Sequence, residues 1–287
     1  MTTSPETDVD TSSWKQTPDG IPIPPPSPDD VRYEAREGVA WITLNRPRVL
    51  NAVNKNLTRL FAAALDRAAV DGEVRAVIIM GAGRAFCAGG DMWSSLYPDE
   101  DPAPDATSVQ GRIWSMPKPV IAAVRGHALG QGAQFVNVCD FTIASDTARI
   151  GEIQIRQGFA PPTLISPYIM SMKHAKEFML LGEAFTAEDA YRIGIVNRVV
   201  PDAELESAAE AMAKKLAALP AATIRLNKRL INRMYELAGF EEGFDWRRDE
   251  AMIALSEEKD AVAEERVRIR QEQGWAAFKQ ERDKGYD

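Results

Sequence analysis

Two glycine-rich stretches have the composition of turns at which backbone groups can do chemistry. The first, MGAGRAFCAGGDM, spans residues 80–92, and the second, GHALGQGAQ, spans residues 126–134. Each follows a predicted strand and precedes a predicted helix, whose first N–H groups lack partners and carry partial positive charge. Two such turns can direct two N–H groups at one oxygen atom. Each donor of an oxyanion hole of this kind contributes roughly 3 kcal/mol to transition-state stabilisation.

The spacing of these turns leaves other interpretations open. GAGRAF begins like a dinucleotide-binding fingerprint, but Phe86 stands where the third glycine of GxGxxG belongs, and GHALGQG also departs from that pattern. Simple tight turns without chemistry are the other alternative. The first side chain that the second helix would present, Gln134, is an amide, which neither gives nor takes a proton near neutral pH.

Composition limits the kind of protein and the compartment. The 287 residues are 45% hydrophobic and 26% charged, which is typical of a globular protein. The net charge of −8 argues against nucleic-acid binding. Local arginines can still hold a small phosphate, because the Debye length at cellular salt is about 8 Å and more distant charges are largely screened. With two cysteines, two histidines and no long apolar run, we expect no disulfide framework, no metal site, no secretory signal and no membrane span. We therefore expect a cytoplasmic protein.

Hydrophobic periodicity predicts an α/β core between two other regions. Alternating residues predict a hairpin of Val31–Arg36 and Val39–Leu44, and strands then alternate with helices to about residue 200. Parallel strands need such helical crossovers. Residues 201–287 are predicted to be helical, in segments 202–219, 221–237 and 249–281, and to pack on the core or on a neighbouring subunit. The proline-rich residues 1–30 predict a flexible tail, with docking through Trp14, Ile21 and Ile23 as the alternative.

The chain resembles the crotonase family, the enoyl-CoA hydratase/isomerase superfamily, from about residue 31 to residue 285. Six segments carry the resemblance in the family's order: ITLNRPRVLNAV, AFCAGGDM, PKPVIAAVRGHALGQGAQ, CDFTIASDTARIGEIQIRQGFAPP, LLGEAFTAEDAYRIGIVNRVVP and QGWAAFKQERDKG. The resemblance implies a spiral core of stacked ββα turns with a C-terminal helical region that serves as a trimerisation or lid region. It also implies an acyl-CoA thioester as substrate, coenzyme A as part of that substrate rather than a tightly bound cofactor, and homotrimers or hexamers built as dimers of trimers.

The resemblance assigns five backbone or binding positions. It places the two oxyanion-hole N–H groups on Gly90 and on Gln131, where family members usually have glycine. The carbonyl that reads adenine corresponds to Ala88. Arg48 matches a basic position near the CoA phosphates, and Arg282 matches one near the adenine. A solvated surface charge is the alternative for both arginines.

The two glutamates that hydratases of the family use to hold and deliver water are both absent. Gln134 and Gln154 occupy their positions, and Ile153 replaces a proline. An amide can hydrogen-bond a water molecule but cannot act as its base, so efficient hydration of ordinary 2-enoyl-CoA esters is doubtful. Glu152 shares a face with Gln154 in extended backbone and could replace the missing acid, or it could simply form an ion pair with Arg156.

Three further titratable residues near the turns have weaker claims. His127 titrates near neutrality but is also a plausible turn residue. Asp91 favours a helix-capping role, and Cys87 a packing role rather than that of a nucleophile. Three hypotheses therefore remain: an acyl-CoA isomerase, C–C lyase or thioester hydrolase with a different acid/base; a non-catalytic or decayed acyl-CoA-binding protein; and a hydratase for a special substrate whose own groups move protons.

Overall fold

The computed structural model describes residues 11–98, 102–244, 249–258 and 260–286. Within these residues the strands, in chain order, are β1 (Lys15–Gln16), β2 (Pro22–Ile23), β3 (Val31–Arg36), β4 (Val39–Leu44), β5 (Ala76–Gly81), β6 (Val120–Val124), β7 (His127–Leu129), β8 (Phe141–Ser145), β9 (Arg149–Gly151), β10 (Phe185–Thr186) and β11 (Arg198–Val200). The α-helices are α1 (Lys55–Val70), α2 (Ala106–Ser115), α3 (Gln131–Val138), α4 (Ser166–Ile169), α5 (Met172–Leu180), α6 (Ala187–Arg192), α7 (Leu205–Ala217), α8 (Ala221–Leu237), α9 (Phe240–Phe244), α10 (Glu250–Ser256), α11 (Ala261–Gln273) and α12 (Trp275–Arg282).

A six-stranded sheet forms the centre of the molecule, in the order β11-β8-β6-β5-β4-β3. The pair β3–β4 is antiparallel, and each of the other neighbouring pairs is parallel. Helix α1 connects the parallel neighbours β4 and β5, as a crossover must. The predicted hairpin and the predicted α/β class are confirmed.

Alternation along the strands buries both faces of this sheet. Ile42 and Ile79 point into a large apolar cluster that includes Phe61 of α1. Trp41 and Ile78, one residue earlier on the same strands, point into a smaller cluster under α7. Because successive side chains of a strand point to opposite faces, nearly continuous apolar strands require helices on both sides. This packing holds the loops at the strand ends in defined positions.

Only helices follow Val200 in the part of the chain that the structure describes. Helix α8 has its predicted bounds, but the single helix predicted over residues 249–281 is wrong, because α10, α11 and α12 are separate. Gly274 (φ +88°) separates α11 from α12 and adopts a backbone conformation that favours glycine. Among the described residues, no helix is long and apolar enough to cross a membrane.

Residues 11–30 pack against the body of the protein, which corrects the prediction of a flexible tail for this part. The short strands β1 and β2 pair with each other, and Thr17 and Ile23 are buried. The Ile23 carbonyl accepts a hydrogen bond from the Tyr97 hydroxyl at 3.0 Å. Asp19 accepts one from the Ala276 N–H at 2.9 Å, at the start of α12. These contacts help to offset the conformational entropy that is lost when the segment becomes ordered. Residues 1–10 lie outside the described residues.

Candidate active site

The two glycine turns lie side by side because their backbones pair. Cys87 donates its N–H to the His127 carbonyl at 2.9 Å, and Leu129 donates its N–H to the Cys87 carbonyl, also at 2.9 Å. Gly132 lies against the same segment, where an added Cβ would come within 2.3 Å of the Cys87 carbonyl oxygen. Glycine is therefore required at position 132 for the two turns to approach each other.

This pairing brings Gly90 and Gln131 together in the wall of one cavity. Gly130 (φ +51°) has a positive φ, which favours glycine, and precedes α3 as its N-cap, so that Gln131 is the first residue of the helix. The positive φ angle of this turn falls on Gly130, so a glutamine can occupy position 131 without backbone strain. Among the described residues, the N–H groups of Gly90 and Gln131 have no backbone acceptor. A Cβ built on Gly89 would lie 4.0 Å from the Gln131 nitrogen, which shows how closely the two turns approach.

One part of the expected geometry is wrong. The first turn does not lead directly into an α-helix, because a short 3-10 helix over Ser94–Leu96 follows it, and α2 begins only at residue 106. The Gly90 N–H therefore lacks the field of a helix N-terminus, whereas the Gln131 N–H has it. The two donors are available for different local reasons.

The cavity beside these turns measures about 620 Å³. Seven of the eight predicted site residues line it, namely Arg48, Ala88, Gly90, Gln131, Gln134, Gln154 and Arg282. Glu152, the remaining one, is buried and does not line the cavity. The structure thus gathers seven of the predicted residues in one cavity wall, which also contains Asp91 and Asp283, whereas Glu152, the one carboxyl group among the eight, is bonded to Gln134 and Gln154 outside that wall.

A chain of side-chain hydrogen bonds connects these glutamines to Glu152. Gln110, on α2, donates through Nε2 to Gln134 Oε1 at 2.8 Å. Gln134 Nε2 in turn donates to Glu152 Oε2 at 3.3 Å, and Gln154 Nε2 donates to the same oxygen at 2.5 Å. The hydrogen bond to Gln134 therefore orients the Gln110 amide, and the hydrogen bond to Glu152 orients the Gln134 amide. The two residues in the family's acid positions act here as donors to a third, titratable side chain.

Burial raises the pKa of Glu152 to about 7, although the hydrogen bonds from Gln154 and Gln134 favour its ionised form. Desolvation disfavours a charged carboxylate, and two neutral donors compensate only part of that cost. The ion pair with Arg156 that was the alternative role for Glu152 is not formed. Arg156 contacts Asp283 at 3.4 Å instead and stacks over the Tyr286 ring. Glu152 therefore has a pKa in the range useful for acid/base chemistry.

The residues assigned to CoA binding differ in how free they are. Arg48 is exposed and lies over the Trp14 ring, with 5.4 Å between its Cζ atom and the ring centroid. Arg282 makes two hydrogen bonds to the Asp283 carboxylate, at 2.7 and 2.6 Å, so its charge is already partly compensated. Ala88 donates its N–H to the Leu50 carbonyl at 2.9 Å, and its own carbonyl accepts no backbone hydrogen bond among the described residues. Arg48 and the Ala88 carbonyl are the more available contacts.

Of the three weaker titratable residues, His127 and Asp91 line the cavity and Cys87 does not. Burial, followed by Arg84 and Arg149, lowers the pKa of His127 and so favours its neutral form. Asp91 forms an ion pair with Arg46 at 2.8 Å and accepts a hydrogen bond from the Trp93 N–H, rather than capping an α-helix.

Cys87 is fully buried, and burial raises the pKa of its thiol to about 12. A thiol needs a low pKa to supply the nucleophilic thiolate. The packing role that its position in the sequence favoured agrees with this burial.

Three contributions to the site were missed in the sequence. Gln110 is fully buried in α2, next to Val109 and three residues before Ile113, a spacing that could have placed it on the inner face. Lys279 lines the cavity one helical turn before Arg282. The N-terminal segment contributes Thr17, Ile21 and Ile23 to the wall; its isoleucines indicated docking as an alternative, but nothing local indicated this cavity as the place.

Comparison with known proteins identifies the class that this fold and site define. The family model described as enoyl-CoA hydratase/isomerase matches residues 34–282. A probable enoyl-CoA hydratase of Mycobacterium bovis is 33% identical over 226 residues, covering 77% of this chain and 87% of its own. A probable enoyl-CoA hydratase of Rhizobium meliloti is 36% identical over 238 residues, covering 80% and 92%. A crystal structure of an enoyl-CoA hydratase/isomerase from Xanthobacter autotrophicus Py2 matches with a TM-score of 0.82 and 32% identity, over 89% of this chain and 97% of that one.

The chain therefore belongs to the enoyl-CoA hydratase/isomerase family, and the crotonase fold expected from its motifs is confirmed.

Proposed function

We propose that this protein binds an acyl-CoA thioester and polarises its carbonyl between the N–H groups of Gly90 and Gln131, while Gln134 and Gln154 orient groups rather than titrate. The observation that carries the proposal is the arrangement around Glu152. This one carboxyl group accepts hydrogen bonds from both residues that replace the family's acids. The thioester polarisation depends on backbone groups, which survive the change of side chains at 134 and 154.

Proton transfer in this site falls to Glu152. Two-acid hydration needs one group to activate water and another to protonate carbon, and neither glutamine has a useful pKa. A single carboxyl group with a pKa of about 7 suits a reaction in which one base removes a proton next to the thioester carbonyl and returns it elsewhere. We therefore propose a proton transfer of the double-bond isomerisation type, with weak hydration of crotonyl-CoA. This proposal requires the Gln154 side chain to turn aside so that Glu152 can contact the acyl group, because Glu152 does not line the cavity.

A non-catalytic acyl-CoA-binding role is the second candidate. The observation in its favour is that Glu152 does not line the cavity. Its Oε2 atom already accepts hydrogen bonds from Gln134 and Gln154. Both candidates require binding of CoA esters. They differ in whether the protein accelerates removal of the acyl α-proton.

Exchange of the acyl α-protons with D₂O, followed by NMR on butyryl-CoA, separates the two. The isomerase-type proposal predicts exchange by the wild type that falls by about 100-fold or more in Glu152→Gln. Glu177→Gln, an exposed site on α5, is the matched control and should keep the wild-type rate. Calorimetry with the same ester supplies the binding readout. Tight binding with no exchange supports the second candidate, and no binding of any CoA ester contradicts both.

We also propose a homotrimer or a pair of trimers in the cytoplasm. One face of α8 and part of α10 leave large apolar side chains exposed, among them Leu226, Leu230, Ile231, Met234, Leu237 and Leu255. An exposed apolar face of this extent marks an interaction surface. Both cysteines are free, which suits a reducing compartment. Sedimentation should show three or six times 31.6 kDa, and a stable monomer or dimer at micromolar concentration contradicts the proposal.

A further inference from the structure

The hairpin formed by β1 and β2, residues 15–23, lies outside the part of the chain that the family model matches. That match begins at residue 34, yet Thr17, Ile21 and Ile23 of this β1–β2 hairpin line the cavity. Membership of the family therefore gives the hairpin no role. A role follows from the hairpin's own contacts with the cavity wall.

Two anchors hold the β1–β2 hairpin to separate parts of the molecule. Asp19 accepts a hydrogen bond at 2.9 Å from an N–H in the first turn of α12. An added Cβ on Gly274 would lie 2.4 Å from the Asp19 Cγ atom, so glycine is required there for this approach. The Tyr97 hydroxyl accepts a hydrogen bond from the Lys15 N–H at 2.6 Å and donates one to the Ile23 carbonyl at 3.0 Å. The hairpin is thus fixed both to α12 and to the segment that follows the first glycine turn.

Positive charges of the cavity wall lie beside this hairpin. Helix α12, to which Asp19 is bonded, also supplies Lys279 and Arg282 to the wall. Arg48, another cation of the wall, lies against Trp14, the residue that precedes β1. In every CoA ester the phosphates of the nucleotide are strongly anionic, and Lys and Arg are the side chains that hold phosphate. These neighbours place the hairpin on the nucleotide side of a bound CoA ester.

Ile21 is the lining residue of the hairpin with the most surface left to cover. Its exposed fraction is 40%, whereas Thr17 and Ile23 are buried. Transfer of exposed apolar surface out of water favours binding. A ligand lying along this wall would cover Ile21, which the fold itself leaves partly open.

We infer that the β1–β2 hairpin is a binding element for the coenzyme A part of the substrate and that Ile21 is its contact residue. The inference rests on the proposed function, because a CoA ester must occupy the cavity. The contact is with the nucleotide and the adjoining pantetheine, which all CoA esters share. The hairpin therefore contributes affinity but no selectivity among acyl groups. Because binding energies are linked reciprocally, a bound CoA ester in turn stabilises the docked hairpin.

Calorimetry on Ile21→Ala with free CoA, acetyl-CoA and hexanoyl-CoA tests the contact. The variant should bind all three ligands about five- to tenfold more weakly than the wild type, because part of the apolar contact is lost. The factor should be the same for the three ligands within about twofold. Val70→Ala, at an exposed site of α1 that does not line the cavity, is the matched control and should keep the wild-type dissociation constants.

Asp19→Ala tests the anchoring without changing Ile21. Loss of the bond to α12 should weaken binding of the same three ligands by about threefold or more. Asp71→Ala also removes a carboxylate that accepts a backbone N–H, here that of Glu73, but outside the cavity wall. This control should bind the ligands as the wild type does.

Hydrogen exchange of the wild type needs no variant. Saturating acetyl-CoA should slow amide exchange over residues 15–23 by about fivefold or more, because the ligand opposes local opening of the hairpin. Unchanged binding by Ile21→Ala, or unchanged exchange over residues 15–23, overturns the inference and leaves the proposed function standing. A loss of affinity that grows with acyl length also overturns it, because the hairpin then contacts the acyl group. Failure of the wild type to bind any CoA ester overturns the inference together with the proposed function.

Discussion

Replacing Glu152 with glutamine removes a charge from the site while keeping the hydrogen bonds around it. Gln134 and Gln154 both donate to the same carboxylate oxygen, Oε2. The single amide oxygen of a glutamine at 152 can accept both of these bonds, since a carbonyl oxygen has two lone pairs. The substitution therefore isolates the ionisation of residue 152 from its packing.

The pH dependence of stability follows from the raised pKa. In the unfolded chain the Glu152 carboxyl has its ordinary pKa of 4.5, and in the folded protein burial raises it to about 7. The folded state thus keeps a proton that the unfolded chain loses. The resulting stabilisation is full below pH 4.5 and is lost as the pH rises through 7. The loss amounts to about 3 kcal/mol in the free energy of unfolding.

Thermal unfolding of the wild type and Glu152→Gln at matched protein concentration, from about pH 5 to about pH 8, measures this effect. Subtracting the Tm of the wild type from that of the variant at each pH removes the contribution of every titrating group that the substitution leaves unchanged. The variant should gain about 5–10 °C in Tm relative to the wild type over this range. Parallel pH profiles for the two proteins would refute the reasoning, because they would show that Glu152 titrates alike in the folded and unfolded states.

Three other outcomes are expected. Iodoacetamide should not alkylate Cys87 in the folded protein at pH 8, because its thiol is buried with a pKa raised to about 12; rapid modification measured by mass spectrometry contradicts this. Asp19→Ala should lower Tm by about 2–4 °C, since it removes the acceptor of the Ala276 N–H; an unchanged Tm means that the N-terminal segment does not dock on α12. Arg48→Ala should weaken CoA-ester binding by about tenfold, most at low salt; an unchanged dissociation constant removes Arg48 from the phosphate site.

Local patterns in the sequence were sufficient for the elements and turns that depend on local physics. The hairpin of β3 and β4 and the helix α8 have the bounds that alternation and helical spacing predicted. The two glycine turns were located because glycine marks sharp turns and close approaches. The absence of the two family glutamates could be recognised because the family's motif aligns residue by residue with positions 134 and 154.

Contacts between distant segments could not be predicted in the same way. The hydrogen bond from Gln110 to Gln134 joins two helices, and the contact of Asp19 with α12 joins the two ends of the chain. Arg156 likewise forms its ion pair with Asp283, which is distant in sequence, rather than with the nearby Glu152. Periodicity shows which face of an element is buried but not which element covers it.

Hydration of crotonyl-CoA by the wild type and by a Gln134→Glu, Gln154→Glu double variant tests the central claim most directly. The wild type should bind the ester but hydrate it very weakly from about pH 6 to about pH 9, because neither amide titrates. The double variant should hydrate it at least about 100-fold faster, if general acid–base catalysis is what the glutamines remove. A wild-type rate equal to that of the double variant, and unchanged in Glu152→Gln, would contradict the account and place the true acids elsewhere in the chain.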